Sequence, residues 1–431
     1  MFYRIITLLF CVATTFINAQ NPTLKVNQGR LENRIFELAK FGIQENGETE
    51  RVAFSDADIK ARKWIIEILK NQGLEVSIDF AGNIVALRKG KKSNLKPISF
   101  GSHIDRVPNG GNYDGCLGVM AALEIIETLN ENKIKTRHPL EVIVFSNEEG
   151  GVMGSRAMSG HLGKGALEVV NSTGYSMGEG IMRLGGDTTR IDEVQRKKGA
   201  MAAFLELHIE QGAILEKENL NIGIVEGIVG LKWWDVVFTG FANHAGTTPM
   251  NSRQDALLAA AKFIVAVNEI TNSFEGAQVG TVGRIKAEPG APNVIPGKVV
   301  ASLEIRDLSS AVIEKVYQAI KSKGEEIAAQ SNVNIEFRPL DTTAAPALTD
   351  VAIQNEIESS STKLGLTHKY MPSGAGHDAQ DMAWIAPTGM IFVPSKGGIS
   401  HSPKEFTSAE DMANGTNVLL QTILALDKKL D

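Results

Sequence analysis

The sequence predicts an α/β fold in two units: a large domain with a mostly parallel sheet, and a smaller domain of split βαβ type inserted into it. Three observations lead there. Short apolar runs alternate with helix-period segments over residues 22–218 and again over 340–431, the pattern of strands joined by crossover helices. Residues 219–339 between them switch to longer β-rich runs in the order β-α-β-β-α-β. The length of 431 residues exceeds one ordinary domain, and 43% apolar side chains suffice for two cores.

The N-terminus stands apart from both units. Arg4 precedes the apolar run IITLLFCVATTF and the small-residue stretch INA, the build of an export signal cleaved after Ala19. The run is shorter than the ~20 residues of a spanning helix, and a retained anchor is the competing reading. The expected location is therefore exported, periplasmic or secreted. Loss of residues 1–19 removes Arg4 and takes the net charge from −6 to −7. With no basic block, the chain suits neither nucleic acid nor, once the signal is gone, a membrane surface, and a small-molecule partner fits better. Cys11 would leave with the signal, and Cys116 alone can form no intrachain disulfide.

Helical periodicity begins in LENRIFELAKFGI and continues in SDADIKARKWIIEILKNQG, with Ser55 and Asp58 as cap and partner and Gly73 as stop. The strand-like runs LEVSID, NIVALR, PISFGS and EVIVFS follow, and sites in such sheets collect at the carboxyl ends of the strands. After PISF comes GSHIDRVPNGGNYDG, which offers His103, Asp105 and Asp114. Imidazole nitrogens and carboxylates of this kind ligate cations, and one Asp can bridge two of them, although the stretch alone also reads as a glycine-rich turn. After EVIVFS stand Glu148 and Glu149; adjacent carboxylates repel, so they imply a nearby cation or plain solvent exposure. FLELHIEQG delivers His208, Glu210 and Gln211, and KGGISHSP delivers His401. His138, His161 and His368 fit no motif and are expected at the surface. In the inserted unit IGIVEGIVGLKWWDVVFTG leads to the His244 loop, then a helix near 253–270, GTVGRIKA, KVVASLEIRDL, a helix near 310–329 and VNIEFRPL. Its WW pair is expected in packing rather than in a binding site. Arg306 has the fork that grips a carboxylate, but EIRD alone also reads as a strand-end ion pair with Asp307.

Taken in order, HID (103–105), NYDG (112–115), NEEGG (147–151), LHIEQG (207–212), NHAGTTPM (243–250), APNVIPG (291–297), EIRD (304–307), SGAGHDA (373–379) and GGISHS (397–402) resemble the amidase/carbamoylase branch of the M20 metallopeptidase family. That branch holds N-carbamoyl-L-amino acid hydrolases, β-ureidopropionases and allantoate amidohydrolases, and the resemblance covers nearly all of the chain after the signal. It implies a di-metal hydrolase domain and an inserted lid through which two copies dimerise. It implies two divalent cations, with Asp114 bridging, His103 and His208 completing one site, and Glu149 and His401 the other. Zinc is the first expectation, and the same ligands admit manganese, cobalt or nickel. Glu148 is then the general base, Asp105 orients His103, and the Asp114–Gly115 peptide is expected to be cis. Gln211, Asn293, Arg306, Gly376 and His377 are implied to hold a substrate carrying ureido and carboxylate groups. His244 is implied to stabilise the oxyanion, reaching in from the partner of a homodimer. The activity implied is hydrolysis of a linear C–N bond, first in an N-carbamoyl-L-amino acid and next in allantoate; a dipeptidase, an aminoacylase or a non-catalytic binding protein fits the motifs less well.

Overall fold

The structure, a computed structural model, describes residues 23–44, 49–163 and 165–430; the expected export signal lies outside them. In chain order the first stretch forms α1 (Gln28–Ala39), α2 (Asp56–Asn71), β1 (Glu75–Ile78), β2 (Ile84–Arg88), β3 (Ile98–His103), α3 (Cys116–Glu131), β4 (Leu140–Phe145), α4 (Met153–Ser159), α5 (Met177–Arg183), β5 (Ala203–Ile209), α6 (Ile214–Glu218) and β6 (Ile222–Ile228). The second forms β7 (Gly230–Thr239), β8 (Asn243–His244), α7 (Ala256–Ser273), β9 (Val279–Thr281), β10 (Ile285–Glu288), β11 (Val294–Ile295), β12 (Lys298–Asp307), α8 (Ser310–Gln330) and β13 (Asn334–Ala344). The chain returns as β14 (Ala347–Leu348), α9 (Val351–Lys363), β15 (His368–Ser373), α10 (Asp378–Met382), β16 (Thr388–Val393) and α11 (Ala409–Lys429).

The large sheet runs β1-β2-β4-β3-β5-β16-β6-β14, with β15 also on β6. Its centre, β4-β3-β5-β16, is parallel, and antiparallel pairings close both sides. The four central strands are buried at every position, as expected where helices cover both faces. Alternate side chains divide between two layers. Val142 and Val144 join Leu205 and Leu207 under α1, α3 and α11, whereas Ile143, Phe145 and Phe204 pack with Met158 of α4 and Met382 of α10. Helix α3 runs through the first layer and is buried almost all round.

The small domain has the antiparallel order β10-β12-β7-β13, the split βαβ plan, with α7 and α8 on one face. Trp234 supplies its core and stacks on Tyr317 at 4.3 Å, as the packing reading of the WW pair requires. Its boundaries differ from the expected 219–339. Strand β6 pairs with β14, β15 and β16 of the large sheet, so the small domain spans Gly230–Ala344. The physical sign was present in the sequence: IGIVEGI lacks polar alternation and is buried on both faces, apart from Glu226. At Gly230 a Cβ would lie 2.5 Å from Pro346, so the outgoing and returning chains pass side by side and only glycine permits their approach.

Local signals held where caps were involved. Ser55 caps α2 by accepting from the Asp58 amide, and Gly73 ends the turn after it at φ +84°. His138 is a correction: it is buried, with Nδ1 2.7 Å from Lys96 O and Nε2 3.1 Å from Leu430 O, a polar plug between strand end and C-terminal helix. Arg51, also buried, ties α1 to the site loop. Its guanidinium donates to Leu38 O at 2.7 Å and Ile104 O at 2.8 Å, and lies 3.0 Å from the sulfur of the unpaired Cys116. Arg51→Met should lower unfolding stability by about 1–3 kcal/mol, the cost of one buried carbonyl left without a donor, since Ile104 O loses its nitrogen donor whereas Leu38 O keeps the Phe41 amide. The urea midpoint measures it, and an unmoved midpoint would show that these bonds contribute nothing net.

Candidate metal centre

Every element of the site ends at the same edge of the sheet. His103 closes β3, His208 lies near the end of β5, Glu148 and Glu149 follow β4, and His401 follows β16. Asp114 is delivered by the turn into α3. There Gly115 takes φ +62°, and a Cβ on it would sit 2.2 Å from His103 Nε2. No larger residue lets the helix start this close to the imidazole. The Asp114–Gly115 peptide is not cis, contrary to expectation: among the described residues the cis bond is Glu288–Pro289. Positive φ at Gly115, with the Cys116 amide folding back 2.6 Å to Asp114 O, makes the turn instead.

Asp114 is the hub. One carboxylate oxygen lies 3.1 Å from His208 Nε2 and 3.7 Å from His103 Nε2; the other lies 3.4 Å from His401 Nε2, which is in turn 3.4 Å from Glu149. Thus His103, Asp114 and His208 present donor atoms within 4.8 Å of one another, as do Asp114, Glu149 and His401, and Asp114 belongs to both groups. Both buried imidazoles face the acids with Nε2, because Nδ1 of His103 points at Asp105 O (3.1 Å) and Nδ1 of His208 at Ile209 O (2.9 Å). Glu148 belongs to neither group, though its carboxylate lies 3.6 Å from His103.

Among the described residues no lysine or arginine pairs with Asp114, Glu148 or Glu149; imidazoles are their only basic partners. Burial, together with the charges of Asp378, Glu149 and Asp114, pushes the Glu148 carboxyl well above its usual range. Burial and Asp114 push Glu149 up to about 8. For Asp114 burial acts upward, but the charge and hydrogen bond of His208, the hydrogen bond of His401 and the charge of His103 outweigh it and hold the carboxyl well below the ordinary value. Burial alone would lower His208, yet Asp114 beside it raises the ring to about 9; the hydrogen bond to Asp114 takes His401 to about 9 as well. Burial dominates at His103 and lowers it to about 4. The Gly115 amide also donates to His208 Nε2 at 3.0 Å, so a proton, that amide and an arriving cation would compete for one lone pair. This donor set, shared carboxylate and uncompensated acids fit a pair of divalent cations.

The sequence pattern of the peptidase family M20/M25/M40 matches residues 99–425. The chain belongs to that family. Its members depend on two metal ions, which agrees with the two donor groups around Asp114. An N-carbamoyl-L-amino acid amidohydrolase of Geobacillus stearothermophilus is 40% identical over 402 residues, covering 92% of this chain and 98% of that protein. An allantoate amidohydrolase of Bacillus subtilis is 34% identical over 403 residues, covering 90% and 95%. A crystal structure of an amidase of the hydantoinase/carbamoylase family from Burkholderia multivorans superposes with a TM-score of 0.88 at 35% identity, covering 94% of this chain and 99% of that one.

Against this M20 frame the remaining motif residues divide. Gln211 reaches the hub, its Nε2 donating to Asp114 at 2.6 Å; the buried Oε1 has no partner among the described residues and is left to accept a hydrogen bond. Asp105 touches His103 through its main-chain carbonyl, its carboxylate standing 3.7 Å off. The carboxylate instead accepts from the Glu148 and Glu149 amides at 3.3 and 3.1 Å, and so fixes the paired glutamates rather than the imidazole. Gly376 lines the cleft of about 280 Å³ over Glu148 and Glu149, whereas His377 is buried behind His208, bonded to Ser373 Oγ at 2.8 Å. His244 and Asn293 are exposed together on the β8–β11 ribbon of the small domain and do not line that cleft. Arg306 pairs with Glu304 through two nitrogens, at 2.8 and 3.2 Å, and donates to Gly374 O of the large domain at 2.7 Å; its ion-pair partner is thus Glu304, not Asp307.

Three polar residues escaped the sequence reading. Glu405 accepts from the Tyr113 and Asp114 amides at 2.8 and 3.1 Å, and Ser400 bridges Glu405 to Asp114 at 2.9 and 2.8 Å. A hydroxyl has one hydrogen, so if Ser400 donates to Asp114 the second contact uses a proton on Glu405, which burial and the Asp114 charge favour by raising that carboxyl. Glu206, two residues before His208 on the same face of β5, accepts from Ser102 Oγ at 2.6 Å and the Ala379 amide at 2.8 Å. Only the i, i+2 spacing to His208 could have flagged it.

Cation binding should release protons, because Glu149 (about 8), His208 and His401 (about 9) hold them at neutral pH in the metal-free protein. Affinity should then rise with pH and level off above about 9. Zinc calorimetry in buffers of different ionisation enthalpy measures the release, and none at pH 7 would contradict these protonation states.

Proposed function

We propose that the protein hydrolyses a linear C–N bond in a ureido compound carrying a carboxylate, first of all the carbamoyl group of an N-carbamoyl-L-amino acid. The observation that carries this reading is the double donor group sharing Asp114 with Glu148 beside it, in a chain whose relatives act on such bonds. Allantoate is the second candidate, since it presents the same two groups. Asp114 would bridge, His103 and His208 would hold one cation, and Glu149 and His401 the other, zinc being the first choice and manganese, cobalt or nickel the alternatives. Bound there, the pair would lower the pKa of a water, polarise the scissile carbonyl and offset the negative charge that keeps Glu148 protonated.

The chain's own residues supply the rest. Glu148, ligand to neither cation, takes the proton of the attacking water and passes it to the departing nitrogen. Asp105 keeps its backbone in register through the two amide bonds. Gln211 Oε1 accepts a ureido N–H. Arg306 and Asn293 belong to the small domain and meet the substrate carboxylate when that domain closes over the cleft. The protein works as a homodimer formed through the small domain, and His244 enters the partner's cleft to stabilise the oxyanion. We place it outside the cytoplasm, after cleavage of an N-terminal signal. Ammonia release from a panel of N-carbamoyl-L-amino acids, allantoate and ureidoglycolate tests the activity, before and after chelation and refilling with each metal; no release from any compound would reject it.

Glu148→Gln should bind metal as the parent does and lose turnover by at least ~10²-fold, the scale of general-base catalysis. Near-normal activity in the metal-loaded variant would remove Glu148 from its role. Mixing tests the dimer. Glu148→Gln and His244→Ala chains, each inactive alone, should regain activity when they exchange subunits, because the chain that keeps Glu148 then receives His244 from its partner. Demonstrated exchange without recovery would confine His244 to its own chain.

A further inference from the structure

The cleft over Glu148 and Glu149 is lined by acids, neutral groups, the ligand candidate His401 and one arginine. Arg156, from α4, is the only lysine or arginine lining it among the described residues. Its guanidinium makes no hydrogen bond among the described residues, and its one ion pair is a loose one, Nε standing 3.7 Å from Asp381 Oδ2, which leaves the two terminal nitrogens unengaged. The Arg156 side chain keeps 41% of its surface exposed, so solvent or a ligand can meet it. Arg306, the arginine that the motifs nominate for the substrate carboxylate, is in the opposite state, with three donors given to Glu304 and Gly374.

We propose that Arg156 is a specificity-determining residue that binds a second carboxylate, on the side chain of the substrate, so that the preferred N-carbamoyl-L-amino acids are the acidic ones. This rests on the reaction proposed above and narrows it. A guanidinium whose terminal nitrogens are unengaged offers a planar fork that matches a carboxylate. It stands on α4, directly after the loop of Glu148 and Glu149, and so belongs to the rigid wall of the cleft rather than to the small domain. A substrate held by its ureido group over the glutamates would meet Arg306 at one end and Arg156 at the other. Neutral side chains leave Arg156 to water and gain nothing from it.

The test compares N-carbamoyl-L-glutamate with its near-isostere N-carbamoyl-L-glutamine. The parent enzyme should favour the acid by about tenfold or more in kcat/KM, the scale of one charge-assisted pair. Arg156→Gln should reduce that preference to near unity, mainly through KM for the acid, and Arg156→Lys should keep part of it, having the charge but not the fork. Equal use of both compounds by the parent would overturn the proposal. So would an equal loss on both in Arg156→Gln, since an arginine that held the α-carboxylate or merely supported α4 would behave that way. If the metal-loaded parent hydrolyses no ureido compound, the reaction itself falls. Binding of the two compounds to Glu148→Gln protein, with and without Arg156→Gln, then decides on Arg156 alone: a tighter fit of the acid that the second substitution abolishes supports the role, and its absence overturns it.

Discussion

Negative charge gathered in a dry place governs this molecule. Asp105, Asp114, Glu148, Glu206 and Asp378 are all buried within one region, and among the described residues the bases against Asp114 and Glu148 are imidazoles rather than lysine or arginine. Carboxylates in such surroundings either take up protons or wait for cations, and here neighbours decide which. Asp114 stays ionised because three imidazoles surround it, while Glu148, with acids on several sides, does not. The polar supports behind them, Ser102, Ser400, Glu405 and the backbone amides of the glutamate loop, keep this repulsive set in one geometry.

The sheet makes that concentration possible. Parallel strands β4, β3, β5 and β16 carry their carboxyl ends to one edge, so residues far apart in sequence converge there. Burial of both sheet faces holds the strand ends still, and Arg51 ties the first helix to the loop that starts from β3. Glycine at 115 then lets α3 begin against an imidazole, a contact set by backbone shape alone.

What could be read from the chain followed from what lies in local order. The alternation of strands and helices, the helix caps and the five donor residues were legible because each sits at a strand end or a glycine turn that the sequence marks. The domain boundary was misjudged because β6 and β7 form one continuous β-rich run, IGIVEGIVGLKWWDVVF, and nothing local says that its halves enter different sheets. Asp105 and Gln211 were assigned to the right neighbourhood with the wrong bonds, since spacing places a side chain but does not choose between its atoms. Glu405, Ser400 and Glu206 were invisible because their partners are distant in sequence, and His138 was misplaced since only packing buried it.

The side-by-side passage at Gly230 and Pro346 reaches further than the fit of one glycine. The strands that lead into and out of the small domain, β6 and β14, are themselves paired, Ile228 with Ala347 and Gly227 with Leu348. The ends of the inserted unit therefore emerge about one strand spacing apart, ~4.8 Å. A hairpin turn could span that gap, and the large sheet would keep its order without rethreading. In chain topology the small domain is a cassette: a module inserted at a hairpin tip, the place where insertion disturbs a sheet least.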